Sequence, residues 1–284
     1  MIKFNELSAE KAEQILNSAI SSSLKEFLNS SLLLNEDKIK SYNDFGFVKI
    51  ENVIDSDFLP EVQKIIQASV LLRKGKDERE LRDKSQYEQS LLQCGFLCWD
   101  YNAMKDFVFA KRFARIVRDL MHADHVRLWH DQALFKEPGG RITDAHQDCS
   151  YWPIAEPQHS ITMWLALMDV PVKKGCLYFY PQTNDPNKKE YVDIFKNPHQ
   201  PNHLIDEEKV FVPLKAGDAT FHSGLTFHGA ANNQTNEMRE AMTIIYIKDG
   251  VTFDASDERN KTHTSCIGIN NGDIINTKFT PVLI

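Results

Sequence analysis

The hydrophobic period of this chain changes at about Val126, from one that suits helices to one that suits strands. Upstream, Ile15, Leu16, Ile20, Leu24, Phe27 and Leu28 recur at helical spacing behind Ser8, a fitting N-cap, and predict an amphipathic helix over 8–29. A short strand is expected over 46–50. A second helix should run from 55 to about 72, with Phe58, Val62, Ile65, Ile66 and Val70 inward. A third is expected near 103–121, carrying Phe107, Phe113, Ile116, Val117 and Leu120. The charged stretch over 73–90 reads as a solvated loop or an exposed helix. Downstream, VRLWHDQALFKE, SITMWLALMDV, CLYFYP, KVFVPL, ATFH and AMTIIYI are short runs rich in β-branched and aromatic residues. Pro138-Gly139-Gly140, Lys174-Gly175 and Ala216-Gly217-Asp218 mark turns between them. Many short strands of this kind predict a barrel or sandwich, mainly β, with the helices packed outside it. No internal repeat or linker divides the chain, so residues 1–284 are expected to form one domain.

Composition excludes several classes of function. A content of 42% hydrophobic residues, with 17 Phe, is ample for a sizeable core. The net charge of -7 argues against nucleic acid as a partner, because phosphate binding needs a basic footprint. No stretch resembles the roughly 20 apolar residues of a membrane span. The first residues, MIKFNELSAEKAEQIL, place charges where a secretion signal needs an apolar core. Five cysteines without paired spacing suit a reducing cytosol, so a cytoplasmic protein with no membrane partner is expected. Cys94 and Cys98 do not have zinc spacing, and His122, His125 and His130 resemble no closed zinc site.

The chemistry concentrates between His146 and Arg239. On a strand, alternate side chains share a face, so His146 and Asp148 can reach one metal together. His228, from a distant strand, would complete two imidazoles and one carboxylate on one side of an ion. That set leaves the opposite positions open, as non-haem Fe(II) oxygenases present iron to a cosubstrate and O2. Arg239 lies a little beyond His228, and its planar fork suits one carboxylate of a dicarboxylate cosubstrate. Strand periodicity puts Arg239, Ala241, Thr243 and Ile245 on one face, so Thr243 would add a hydroxyl beside the same carboxylate.

The runs HQDCSYWP, TMWLALMDVPVKKGCLYFYPQT and FHGAANNQTNEMREAMTIIYI together resemble the phytanoyl-CoA dioxygenase family. The likeness covers about 42–249 and is densest between 134 and 247, leaving a helical extension over 1–41 and a tail over 250–284 that would cap the barrel or mediate dimerisation. It implies a double-stranded β-helix, Fe(2+) as metal, and 2-oxoglutarate and O2 as cosubstrates. It also implies His146, Asp148 and His228 as iron ligands and Arg239 as the anchor of 2-oxoglutarate. His222 stands close by in FHSGLTFHGA, but the glycine after His228 and the arginine beyond it match the family pattern, leaving His222 a strand residue near the site. Gln132 and Trp164 match positions near the cosubstrate in relatives, although packing would account for both. Ala241 departs from relatives that carry serine or threonine there, which bears on the second carboxylate contact. Tyr151 and Trp152 follow the metal motif where relatives place substrate contacts. Asn233 is expected to shape the loop before Arg239, and Gly175 to serve a turn needing positive φ.

The resemblance thus implies hydroxylation of an unactivated C–H, with release of succinate and CO2. Halogenating relatives lack the carboxylate that Asp148 supplies. No basic cluster suits a CoA pyrophosphate, so the expected partner is a small metabolite or natural-product intermediate, acted on by a monomer or homodimer. An insertion over about 184–208, with His199 and His203, would form a mobile lid. The alternatives are a non-catalytic sensor that binds metal or dicarboxylate, and a zinc-dependent hydrolase using the same triad.

Overall fold

The computed structural model describes residues 4, 7–196, 201–259 and 261–284. The helical first part is more broken than its periodicity suggests. Two helices, α1 (Ala9–Asn17) and α2 (Ser22–Asn29), stand where one was expected. Ser18 ends α1 by bonding back to Gln14 O through both its N–H and its hydroxyl. Ser21 then caps α2 by accepting from the Leu24 N–H, so two local serines outcompete continuous helix. Next come α3 (Glu36–Phe45), an unexpected helix, β1 (Phe47–Ile50) and α4 (Leu59–Lys74), with Pro60 in its first turn. The charged stretch holds a short helix, α5 (Gln86–Ser90), closed by a capping box between Ser85 and Glu88. After β2 (Leu92–Gly95) the third helical region is a pair, α6 (Asn102–Val108) and α7 (Lys111–Met121).

The strands that follow are β3 (Val126–Lys136), β4 (Thr143–His146), β5 (Ser160–Ala166), β6 (Leu177–Phe179), β7 (Val210–Val212), β8 (Ala219–Ser223), β9 (His228–Ala230) and β10 (Arg239–Lys248). They form two antiparallel sheets, one ordered β1-β8-β5-β10-β3-β2 and one ordered β4-β9-β6-β7. The architecture is the expected jelly roll with helices outside.

Side-chain alternation in the larger sheet decides where the site can be. Ile161, Met163 and Leu165 on β5, Met242, Ile244 and Tyr246 on β10, and Ala219 and Phe221 on β8 share one core with the helices. Their alternate neighbours, Thr162, Trp164, Thr243 and His222, line a cavity instead. A β-bulge lies between Ile245 and Tyr246, which pair with His130 and Leu128 and leave Trp129 as the extra residue. The bulge shifts the parity of β3, so Leu128 faces the helices while His130, Gln132 and Leu134 face the cavity.

The end of β2 is held in an unusual turn. Phe96 has φ 59, a left-handed conformation that is costly for a bulky residue, about 1–3 kcal/mol. Its N–H donates to Asp131 O (2.8 Å), and the buried Asp131 carboxylate accepts from the N–H groups of Leu97 (3.0 Å) and Cys98 (3.3 Å). Asp131→Ala would leave both amides without a partner. The expected loss is about 2 kcal/mol or more of unfolding free energy, read as a lower denaturant midpoint; an unchanged midpoint would show that the turn holds itself.

Candidate active site

His146 and Asp148 approach the same point by a route that strand alternation does not describe. The strand ends at His146, and Asp148 opens a short 3-10 turn that runs to Tyr151. Between them the buried Gln147 side chain acts as a peg, donating to Leu225 O (2.6 Å) and accepting from the Glu190 N–H (2.7 Å). The Cys149 N–H donates to Gly224 O, which fixes the turn against the loop before β9. His228 starts β9 and pairs with His146 across the strands.

The protonation states follow from the neighbours. Nδ1 of His146 lies 2.8 Å from Asp144 O, and Nδ1 of His228 lies 3.0 Å from Thr226 O. Each carbonyl needs an N–H, so each Nδ1 carries the proton and each Nε2 lone pair is left to face Asp148. The separations are 3.5 Å for His146 Nε2 and 3.7 Å for His228 Nε2, both from Asp148 Oδ1. Burial and the neighbouring His222 hold His228 well below the usual imidazole range, hence neutral and able to ligate. Burial pushes the Asp148 carboxyl up, but the ring of imidazoles around it, His228, His146 and His222, outweighs that and holds it well below its usual range. Its second oxygen accepts from the Thr162 hydroxyl (2.7 Å) and faces His222 Nε2 (3.3 Å).

Ligand atoms of His146, Asp148 and His228 all lie within 4.8 Å of one another, and among the described residues no other His, Cys, Asp or Glu group is so placed. Two neutral imidazoles and a carboxylate fit a divalent transition metal. His222 orients the carboxylate rather than joining the set. His122 caps the end of α7, His125 meets Ile284 O (3.2 Å), and His130 lines the cavity, so those three do not converge.

Arg239 is 1% exposed and has no acidic partner among the described residues. One guanidinium nitrogen donates to Leu134 O (3.1 Å), the plane lies 5.1 Å from the Trp164 ring centre, and Nε is buried without a partner. Burial lowers its pKa to about 9. A charge held this way, at the wall of a cavity of about 300 Å³, can receive an anion. Gln132, Thr243 and Trp164 stand in one row across β3, β10 and β5, all facing that cavity. The Thr243 hydroxyl donates to Gln132 O (3.1 Å), so it offers the cavity its lone pairs rather than the donor expected. Tyr87 and Gln93, which the sequence did not single out, orient Gln132: the Tyr87 hydroxyl donates to Gln93 Oε1 (2.6 Å) and the Gln93 amide donates to Gln132 Oε1. The free NH2 of Gln132 is the group left to a ligand.

Tyr151 and Trp152 also line the cavity, though neither is an exposed loop aromatic: Trp152 is 6% exposed and the Tyr151 hydroxyl donates to Val192 O (2.6 Å). That bond ties the insertion to the site. Val192, Ile194 and Leu204 bury against Tyr178, Tyr180 and Phe227, so this part of the insertion is anchored. His203 is half exposed beside Glu190 (3.4 Å), and His199 lies outside the described residues. Asn233 shapes the loop before Arg239, its amide donating to Lys136 O, Glu137 O and Glu237 O. Gly175 has φ +88, as a turn of that kind requires.

The glycine after His228 has a steric reason. A Cβ at Gly229 would overlap the Thr143 carbonyl oxygen and the Tyr178 hydroxyl, and the carbonyl belongs to β4, which cannot move without carrying His146. Gly229→Ala is expected to separate β4 from β9 and weaken divalent metal binding by about tenfold or more, the scale on which disturbing the groups that hold a metal's ligands acts. Metal titration of the two proteins checks this; equal affinity would mean the sheet absorbs the methyl group.

The family model for phytanoyl-CoA dioxygenase (PhyH) matches residues 42–241. The peroxisomal phytanoyl-CoA dioxygenase of Homo sapiens is 24% identical over 237 residues, covering 76% of this chain and 69% of that protein. A phytanoyl-CoA dioxygenase domain-containing protein 1 of Danio rerio is 29% identical over 168 residues, 55% of this chain. The chain spans 57% of that relative's length and 43% of its Caenorhabditis briggsae homologue, about half of each. The fold is shared with SnoK, a non-haem alpha ketoglutarate dependent carbocyclase from nogalamycin biosynthesis (TM-score 0.73, 22% identity, 88% of this chain and 96% of that one). It is also shared with the epimerase SnoN (TM-score 0.72, 23% identity, 88% and 98%). The matched span takes in both sheets except β10 beyond Ala241, with the triad and Arg239 inside it, and the chain belongs to the phytanoyl-CoA dioxygenase family.

Proposed function

We propose that this protein is an Fe(II)- and 2-oxoglutarate-dependent dioxygenase that hydroxylates an unactivated C–H of a small metabolite or natural-product intermediate. The observation that carries this is one cavity lined both by a convergent two-histidine, one-carboxylate set and by a buried arginine without a counter-ion. His146, Asp148 and His228 would hold the metal. Bound there with 2-oxoglutarate and O2, iron supplies oxidising power that no side chain has. Arg239 would pair with the distal carboxylate of 2-oxoglutarate, with Trp164 flanking the guanidinium and the Gln132 amide free to donate to the same molecule. Thr162 and His222 hold Asp148 in place as the ligand. Tyr151, fastened to Val192, helps close the cavity to water.

The zinc-hydrolase reading is weaker on this geometry. Among the described residues lining the cavity, Asp148 is the one carboxylate, and as a metal ligand it cannot also serve as the base. A non-catalytic sensor would be expected to have lost one of the four groups, and His146, Asp148, His228 and Arg239 all line this cavity. Five free, buried cysteines suit a reducing compartment, which favours a cytoplasmic location, and no helix among the described residues is long and apolar enough to cross a membrane.

Anaerobic titration of the Fe(II)-loaded protein with 2-oxoglutarate tests the reading. A weak visible charge-transfer band should appear, saturate, and decay on admitting O2 with release of succinate; bound metal without that band would sink it. Alanine at His146, Asp148 or His228 is expected to abolish the band and Fe(II)-dependent turnover while the fold survives. Arg239→Ala should raise the 2-oxoglutarate dissociation constant by about 100-fold, the usual scale for removing one partner of a buried charge pair. An unchanged constant would require a different anchor.

A further inference from the structure

The cavity carries just two charged side chains, Asp148 and Arg239, among the described residues that line it. If the first serves the metal and the second the cosubstrate, no charge is left over for the substrate. This step rests on the proposed function above. What remains is a wall built by the turn after β2, the β3 bulge, the turn after β4 and the C-terminal tail: Phe96, His130, Trp152 and His263.

This wall is aromatic and polar without being charged. Phe96 lies over His130 (ring centres 5.3 Å apart, 27° between planes), and the Trp152 ring meets the same imidazole edge-on (5.8 Å, 84°). His263 stacks on Trp129 (4.5 Å, 10°) and sits 5.5 Å from His130. His130 is 6% exposed and makes no hydrogen bond among the described residues, its Nδ1 being buried without a partner. Nε2 is not among the sealed atoms, so it is the nitrogen open to the cavity. His263 Nδ1 accepts from the Ser265 N–H (3.2 Å), which leaves its proton on Nε2 with no partner there. Burial pushes His130 down to about 3 and His263 to about 4, so both rings are neutral in ordinary buffers. Two neutral imidazoles, each with an Nε2 that no protein group bonds among the described residues, thus stand beside aromatic faces and offer polar partners to a ligand.

We propose that Phe96, His130, Trp152 and His263 form the substrate subsite, and that it binds an uncharged, flat, unsaturated ring bearing a hydroxyl. The ring lies against the aromatic faces, where offset and edge contacts stabilise it beyond area burial alone. The hydroxyl both donates and accepts, so it can satisfy His130 in either tautomer and the His263 N–H. A carboxylate or ammonium in the same place would be buried without a counter-ion. The strained turn at Phe96 has a function in this reading, because it puts the ring over His130.

Calorimetric titration with 2-naphthol, naphthalene and 2-naphthoate tests the subsite. The protein is loaded anaerobically with Fe(II) and 2-oxoglutarate, so that Arg239 is already engaged. 2-Naphthol should bind about fivefold or more tighter than naphthalene, the scale of one neutral hydrogen bond, and at least tenfold tighter than 2-naphthoate, whose charge has no partner. His130→Phe should erase the preference for 2-naphthol over naphthalene, and His130→Gln, which keeps a polar group, should retain part of it. Equal binding of 2-naphthol and naphthalene, tighter binding of 2-naphthoate, or a preference that survives His130→Phe would each overturn the proposal. The charge-transfer band of the same sample reports separately on the proposed function. A hydroxyl preference without the band supports the subsite and removes the oxygenase; the band without the preference does the reverse.

Discussion

Both faces of the six-stranded sheet are largely buried, and the two-residue alternation of its strands therefore sorts most side chains into one of two interiors. One interior is apolar and shared with α1, α2, α4, α6 and α7. The other is a cavity, and there the strands carry Thr162, His222, Gln132, Thr243 and Arg239. A polar side chain in a buried strand is costly unless it is bonded. Most of those here are bonded, Thr162 and His222 to Asp148, Gln132 to Gln93 and Thr243 to a carbonyl, and the atoms that are not mark where a ligand belongs. The bulge at Trp129 belongs to the same logic, since without its extra residue Leu128 would share the cavity face with His130 and Gln132.

Electrostatically the cavity is sparse. Its anionic group is Asp148, held by Thr162 and three histidines, and its cationic group is Arg239, held by a carbonyl and an indole face. His228 is kept neutral by burial, and carbonyls claim the Nδ1 protons of His228 and His146. Neutral imidazoles are what a metal requires, and a lone guanidinium is what a dicarboxylate requires. Little else in the cavity competes for either.

Much of this was legible in the chain. The change of period at Val126 separated the helices from the strands, and His146, Asp148, His228 and Arg239 stood out by residue type and company. The single helix expected over 8–29 failed because Ser18 and Ser21 bond locally to the backbone, a competition that apolar spacing does not register. Alternation along one strand was the wrong route to the pairing of His146 with Asp148. The strand stops at His146, and a peg made by Gln147 turns the chain so that Asp148 arrives from a 3-10 turn. Phe96 and His263 were invisible because one depends on a backbone strain held by Asp131 and the other on a tail folded back across Trp129.

The sequence alone determined the kinds of group available: two imidazoles and a carboxylate for a metal, a guanidinium for an anion, and enough alternating strands to bury them. Their order along the chain and the glycine after His228 carried that information, because donor chemistry and the room for a Cβ are properties of residues. Tertiary structure alone decided which groups are satisfied. His222 places Nε2 on Asp148, Thr243 gives its proton to a carbonyl, and Arg239 Nε and His130 Nδ1 are left without a partner among the described residues. Satisfaction depends on distance and burial between residues far apart in the chain, so no local pattern could have assigned it.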